Sequence, residues 1–97
     1  LSAVRLATID LGTNTVRLLV AETEPGVATW RVLDEAQRVT RLGEGLQASG
    51  RLGDAPTART AAVVLDYVER ARRAGAERIQ IVATSAVREA ANGAAWA

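Results

Sequence analysis

Asp10, Gly12, Thr13, Asn14, Thr15 and Arg17 fall together in the stretch Ile9-Asp10-Leu11-Gly12-Thr13-Asn14-Thr15-Val16-Arg17. An acid, a glycine, three small polar residues and an arginine are the parts of an anion cradle. Gly12 lets the backbone take φ > 0 and approach a ligand closely, while Thr13, Asn14 and Thr15 add side-chain donors beside free backbone N–H groups. Arg17 lies among Val16, Leu18, Leu19 and Val20, where a charge is costly unless a carboxylate, cleft water or a bound phosphate attends it. The same residues also describe an ordinary hairpin, with Gly12 and Asn14 as turn formers and Arg17 at a solvated sheet edge. A second group of small polar and basic residues, Thr84, Ser85 and Arg88, follows the short apolar run ending at Ala83. Thr84 or Ser85 can cap a helix, whose first N–H groups attract anions.

The elements that must position these groups can be read from periodicity. Residues 4–10 and 16–23 form near-continuous apolar runs, the pattern of strands covered on both faces. Glu24-Pro25-Gly26-Val27 signals a turn, and residues 27–34 alternate as a third strand, completing an antiparallel meander. Residues 37–53 read as a connecting loop whose glycines make turns or, less simply, a second phosphate-contacting surface. Asp54 stands at an N-cap position, Pro56 suits the first turn, and Ala61, Val64, Leu65, Val68 and Ala71 repeat at helical spacing. This gives a helix over about 55–74 with Gly75 as its C-cap and with Arg59, Asp66, Glu69, Arg70 and Arg73 on a solvated face. Residues 78–83 form a short buried strand, parallel to an earlier one because a helix separates them, with the first strand as the expected neighbour. A second helix is expected over about 85–97. In such sheets ligands bind beyond the carboxyl ends of the strands. Pairing of the first and fourth strands would then place the Asp10–Thr15 loop and Thr84-Ser85 on one edge, with Arg88 and Arg17 converging on one phosphate chain.

Composition narrows the chemistry. The chain has 97 residues, 48% hydrophobic and 24% charged, which is the balance of a single soluble domain. No apolar run approaches a membrane span, and no signal or transit sequence precedes the first strand, so a cytoplasmic location is expected. Cysteine and histidine are absent, which excludes thiolate metal sites, zinc chemistry and histidine general-base catalysis within this chain. A metal here must sit on oxygen ligands, and magnesium is the natural candidate. The net charge of +1 is too small for a nucleic-acid surface. All 12 basic residues are arginine, the side chain that grips phosphate bidentately. The start at Leu1, the absence of Phe and Met, and the helical pattern running to Ala97 suggest the front part of a larger protein.

Three segments, Ile9 to Leu18, Arg41-Leu42-Gly43-Glu44-Gly45-Leu46, and Val82 to Asn92, resemble the N-terminal motifs of the exopolyphosphatase and guanosine pentaphosphate phosphohydrolase family, in family order and spacing. The resemblance covers nearly the whole chain. It implies an α/β, actin-like (ribonuclease-H-like) fold, of which these residues would be the first part of domain I, an incomplete N-terminal domain. It also implies magnesium-assisted release of terminal phosphate from inorganic polyphosphate, or of the 5′ phosphate from guanosine pentaphosphate, by a homodimeric complete protein. Carried over by position, Asp10 would help hold the metal through water, and Gly12, Thr13 and Asn14 would contact phosphate. Arg17 and Arg88 would grip the polyanion, and Thr84 with Ser85 would shape the helix-end site. The family's catalytic glutamate lies downstream of this chain, so no catalytic residue is expected here and the chain alone is expected to be inactive. It is also expected to self-associate through the bare edge of its fourth strand. An actin-like kinase or ATPase would share the first motif, and a sensor lobe could bind a phosphate compound without hydrolysing it.

Overall fold

The computed structural model describes residues 3–89. Four strands, β1 (Val4–Leu11), β2 (Thr15–Thr23), β3 (Arg31–Val39) and β4 (Arg78–Ala83), form one sheet in the order β3-β2-β1-β4. β1 to β3 are the expected antiparallel meander, and β4 pairs parallel with β1, Leu6 opposite Arg78 through Leu11 opposite Ala83. A short helix α1 (Leu46–Ser49) and the long helix α2 (Asp54–Arg73) connect β3 to β4, and α3 (Ser85–Glu89) follows β4. The remainder of the helix expected to Ala97 lies outside the described residues.

The main core lies between α2 and one face of the sheet. Ala7, Ile9 and Leu11 of β1 and Val16, Leu18 and Val20 of β2 point there and meet Val63, Tyr67 and Ala71 of α2. Their strand neighbours Thr8, Asp10, Arg17 and Leu19 are exposed on the opposite face. This corrects the expectation of strands covered on both faces: among the described residues α2 covers one face of β1 and β2 and their other face is exposed, so these strands alternate. β4 is likewise largely exposed instead of buried, because among the described residues it is an edge strand paired with β1 alone.

β3 is displaced from the expected 27–34. Val27 N–H closes the turn onto the Glu24 carbonyl at 3.0 Å, and pairing with β2 begins at Glu22 with Arg31. A bulge between Val20 and Ala21 then shifts the register, and the strand continues until Thr15 meets Val39, so that β2 is paired along its length. The supposed loop from residue 37 is therefore partly strand and partly α1.

In α2 the buried positions are Pro56, Thr60, Val63, Tyr67 and Ala71, whereas Leu65 is 70% exposed. The apolar stripe is rotated from the one read in sequence, because Tyr67 and Thr60 belong to it. Thr60 can be buried because its hydroxyl donates to the Pro56 carbonyl at 2.8 Å. Gly53 rather than Asp54 is the N-cap, with no side-chain cap bond, and the Asp54 carboxylate instead opens the first turn, where the helix dipole favours it. Ala74 is the C-cap, with Gly75 just beyond at φ 85°. Two arginines assigned to a solvated face act as latches. Arg70 donates to Asp34 of β3 through Nε at 3.1 Å and a terminal nitrogen at 2.7 Å, and this bond raises its pKa above the usual arginine value. Arg59 donates to the Thr40 carbonyl at 3.1 Å. Arg5 of β1 holds the other end of α2 through the Ala74 carbonyl at 2.8 Å. No described helix is long and apolar enough to cross a membrane.

Tyr67 is fully buried, beneath the Arg70 guanidinium, and its hydroxyl has no hydrogen-bond partner among the described residues. Leaving such a group unmatched costs about 1–3 kcal/mol, so Tyr67→Phe should raise stability by roughly 1 kcal/mol, while Tyr67→Ala should cost about 3–5 kcal/mol in cavity. Burial raises the Tyr67 pKa above its ordinary 10.0. The unfolded tyrosine therefore ionises first, and stability, full below about pH 10, falls as pH climbs from there towards the folded value. Urea unfolding across this range should show the fall in wild type and a shallower one in Tyr67→Phe.

Candidate functional site

The turn between β1 and β2 is tight. Leu11 and Val16 are the last paired residues of the ladder, and Gly12 N–H donates to the Thr15 carbonyl at 3.0 Å, leaving Thr13 and Asn14 as the tip. None of Gly12, Thr13, Asn14 and Thr15 has a positive φ, which corrects the left-handed conformation expected of Gly12. What the glycine supplies is room, since a Cβ there would lie 3.1 Å from the Thr15 carbonyl oxygen.

Residues 40–43 convert this tip into a donor surface. Thr40 N–H and Arg41 N–H both donate to the Asn14 carbonyl, at 2.9 and 3.0 Å, and Gly43 N–H donates to the Thr13 carbonyl at 2.7 Å. Both tip carbonyls are thus occupied. The Thr13 and Asn14 N–H groups have no hydrogen-bond partner among the described residues. Adjacent free N–H groups with their carbonyls turned away are the arrangement that receives an anion. Arg41 takes φ 53° to make its part of this clamp, the one non-glycine positive φ among the described residues.

Asp10 and Arg17 face each other one step down the ladder, both exposed on the side away from α2. Neither makes an ion pair or side-chain hydrogen bond among the described residues. Of the three environments open to Arg17, the structure shows a solvated cleft. Thr84 N–H donates to the Leu11 carbonyl at 3.0 Å, extending the β1–β4 pairing by one step and setting Thr84 beside the hairpin. Asp10, Gly12, Thr13, Asn14, Thr15, Arg17 and Thr84 together line a cleft of about 250 Å³.

Arg88 is not in this wall. Val87 is buried against Leu42 and Leu52 in a second small core, which turns the exposed Arg88 away, and its N–H donates to the Thr84 carbonyl at 3.0 Å. Ser85 opens α3 next to Thr84. The structure thus gathers six of the eight expected positions, leaves Arg88 outside the wall, and places the backbone of Ser85 directly after Thr84. Asp10 is the one acid in the cleft wall, and no group of three or more acidic side chains among the described residues could cage a metal. A single exposed carboxylate beside hydroxyls and anion donors fits a hard cation that keeps most of its waters and takes further oxygens from phosphate.

Sequence reasoning missed Thr40, Arg41 and Gly43 as the support of the hairpin tip. Gly45 and Gly50, at φ 78° and 71°, do flank α1 as turn glycines. Gly43 differs: its φ is not positive, and a Cβ there would lie 2.9 Å from Thr13 Cβ. A glycine needed for close approach looks like a turn glycine in sequence.

The model of the Ppx/GppA phosphatase family matches residues 19–96. Exopolyphosphatase 2 of Mycobacterium tuberculosis, in strains CDC 1551 / Oshkosh and H37Rv, is 42% identical over 90 residues, which are 91% of this chain and 28% of that protein. Among solved structures, a Ppx/GppA family member from Aquifex aeolicus superposes with TM-score 0.90 at 32% identity, covering 98% of this chain and 30% of its own. A second structure, of the Aquifex aeolicus PPX-GPPA enzyme, gives 0.87 at 33% identity, covering 98% and 31%. The mixed sheet with its helices is thus the actin-like fold. The chain spans less than a third of the length of each of these relatives.

Gly43→Ala should displace the hairpin tip and cost about 1–3 kcal/mol, the range of overpacking in a close contact. In a Thr13→Gly background the obstructing Cβ is gone, and the added cost should shrink to a few tenths of a kcal/mol beyond the backbone effect. Urea unfolding of the two single variants and the double variant measures this coupling.

Proposed function

The chain belongs to the Ppx/GppA phosphatase family, and on that premise we propose that the complete protein is a phosphohydrolase releasing terminal phosphate from inorganic polyphosphate or the 5′ phosphate of guanosine pentaphosphate. The observation that carries this reading is the hairpin tip, whose carbonyls are held by Thr40, Arg41 and Gly43 while, among the described residues, its N–H groups have no partner and the nearby Arg17 makes no ion pair. Phosphoryl transfer spreads negative charge over the equatorial oxygens, and fixed donors with an arginine stabilise it without reorganising at the moment of reaction. In this reading the Thr13 and Asn14 amides and Arg17 receive the phosphate, and the Thr84 and Ser85 region closes the cleft from β4. Asp10 would hold a magnesium ion through its waters, and that ion would supply charge neutralisation. Arg88 meets a more distant part of the substrate. The group that activates the attacking water lies outside these residues, so the chain alone is inactive. The complete protein is cytoplasmic and homodimeric.

Phosphate release by the complete gene product, offered long-chain polyphosphate and guanosine pentaphosphate with and without magnesium, tests the proposal. Magnesium-dependent release should fall about 10²–10³-fold in Arg17→Ala, the loss typical of removing one preorganised charge-stabilising donor. The faster substrate names the specificity. Binding without release would favour a sensor, and tighter binding of adenine nucleotide than of polyphosphate would favour a kinase or ATPase. The 97-residue chain should release no phosphate under the same conditions.

A further inference from the structure

A second cleft, of about 460 Å³, also borders the hairpin tip. Thr13 and Asn14 belong to the walls of both clefts, and the second is lined besides by Arg41, Glu44 and Gln47, with Ala86 of α3. A linear polyanion seated on the tip can therefore continue from one cleft into the other around a common wall. We propose that the second cleft is a binding subsite for a farther phosphate of a long polyphosphate chain, with the Arg41 guanidinium as its anion-binding group; this rests on the reading of the hairpin tip as a phosphate site.

Three features of the cleft carry the proposal. Arg41 is exposed and has no carboxylate partner among the described residues, so its charge is available. The acid in the same wall, Glu44, is already met by Arg59 at 3.5 Å, which weakens its repulsion of a polyanion. The third is the backbone. Residue 41 takes φ 53° and gives its N–H to Asn14, a task that glycine performs with less strain. The clamp on the hairpin needs the backbone of residue 41 and not its side chain, so charge and clamp can be separated by substitution.

The test is titration of the complete gene product with long-chain polyphosphate and with tripolyphosphate, a three-phosphate chain that lacks the farther phosphates of the long one. Arg41→Gly should keep or raise the melting temperature, because it relieves the left-handed backbone, yet weaken long-chain binding by about ten-fold or more, the value of one charge-assisted phosphate contact. Tripolyphosphate affinity should not change. Arg41→Lys, which retains the charge, should stay within about two-fold of wild type for the long chain. Unchanged long-chain binding in Arg41→Gly, or equal weakening for both lengths, would overturn the subsite. Arg17→Ala separates the two ideas: if it too leaves both affinities unchanged, the underlying phosphate reading fails, whereas weakening in Arg17→Ala alone removes only the second subsite.

Discussion

The capture of two carbonyl groups governs the architecture of the site. A hairpin tip has as many acceptors as donors, and left to itself it presents both to solvent. Here three amides from residues 40–43 take the carbonyls of Thr13 and Asn14, and the surface that remains is one of donors. That polarity suits a phosphate and opposes a cation at the same place. It does not depend on any charged side chain, so it persists whatever the solvent does around Arg17 or Asp10.

For this clamp to hold, the segment carrying it must be fixed against the sheet. β3 delivers residue 40 to the hairpin because its pairing runs on to Val39 opposite Thr15. Leu42 then enters a small core with Leu52 and Val87, and Leu46 and Ala83 pack against it. Each sequence segment therefore has a division of labour: its apolar residues build this second core, and its polar backbone faces the cleft. α2 secures the same strand from the opposite side, through the two-pronged Arg70–Asp34 bond and through Arg59 on the Thr40 carbonyl. Such partly exposed pairs add little to stability individually, and their effect lies chiefly in fixing register and orientation.

Charge is distributed by the same geometry. The alternation of β1 and β2 sends Asp10 and Arg17 to the open face together, directly opposite each other, and the structure leaves both without an ion-pair partner among the described residues. An acid able to orient a hydrated cation and a guanidinium able to hold an anion are then adjacent. A metal phosphate presents both charges in that form. The chain belongs to the Ppx/GppA phosphatase family, and the superposition on the Aquifex aeolicus family member assigns the fold that carries these two residues.

The amino-acid sequence by itself determined the order of the four strands and the long helix, the antiparallel meander, the parallel return of β4 to β1 and the gathering of small polar and charged residues from Asp10 to Arg17 at one hairpin, because these follow from local periodicity, turn chemistry and chain connectivity. The three family-like segments also made the family legible. Tertiary structure alone decided which face of α2 is buried, since Tyr67 and Thr60 enter the core only where a strand pair receives the ring and a local carbonyl satisfies the hydroxyl. It decided the end of β3, which depends on how far β2 offers partners. It placed Val87 inward and so kept Arg88 out of the cleft wall. Above all, it gave Gly43 and the Thr40 and Arg41 amides their role, because a hydrogen bond between residues remote in sequence leaves no mark in either segment's local pattern.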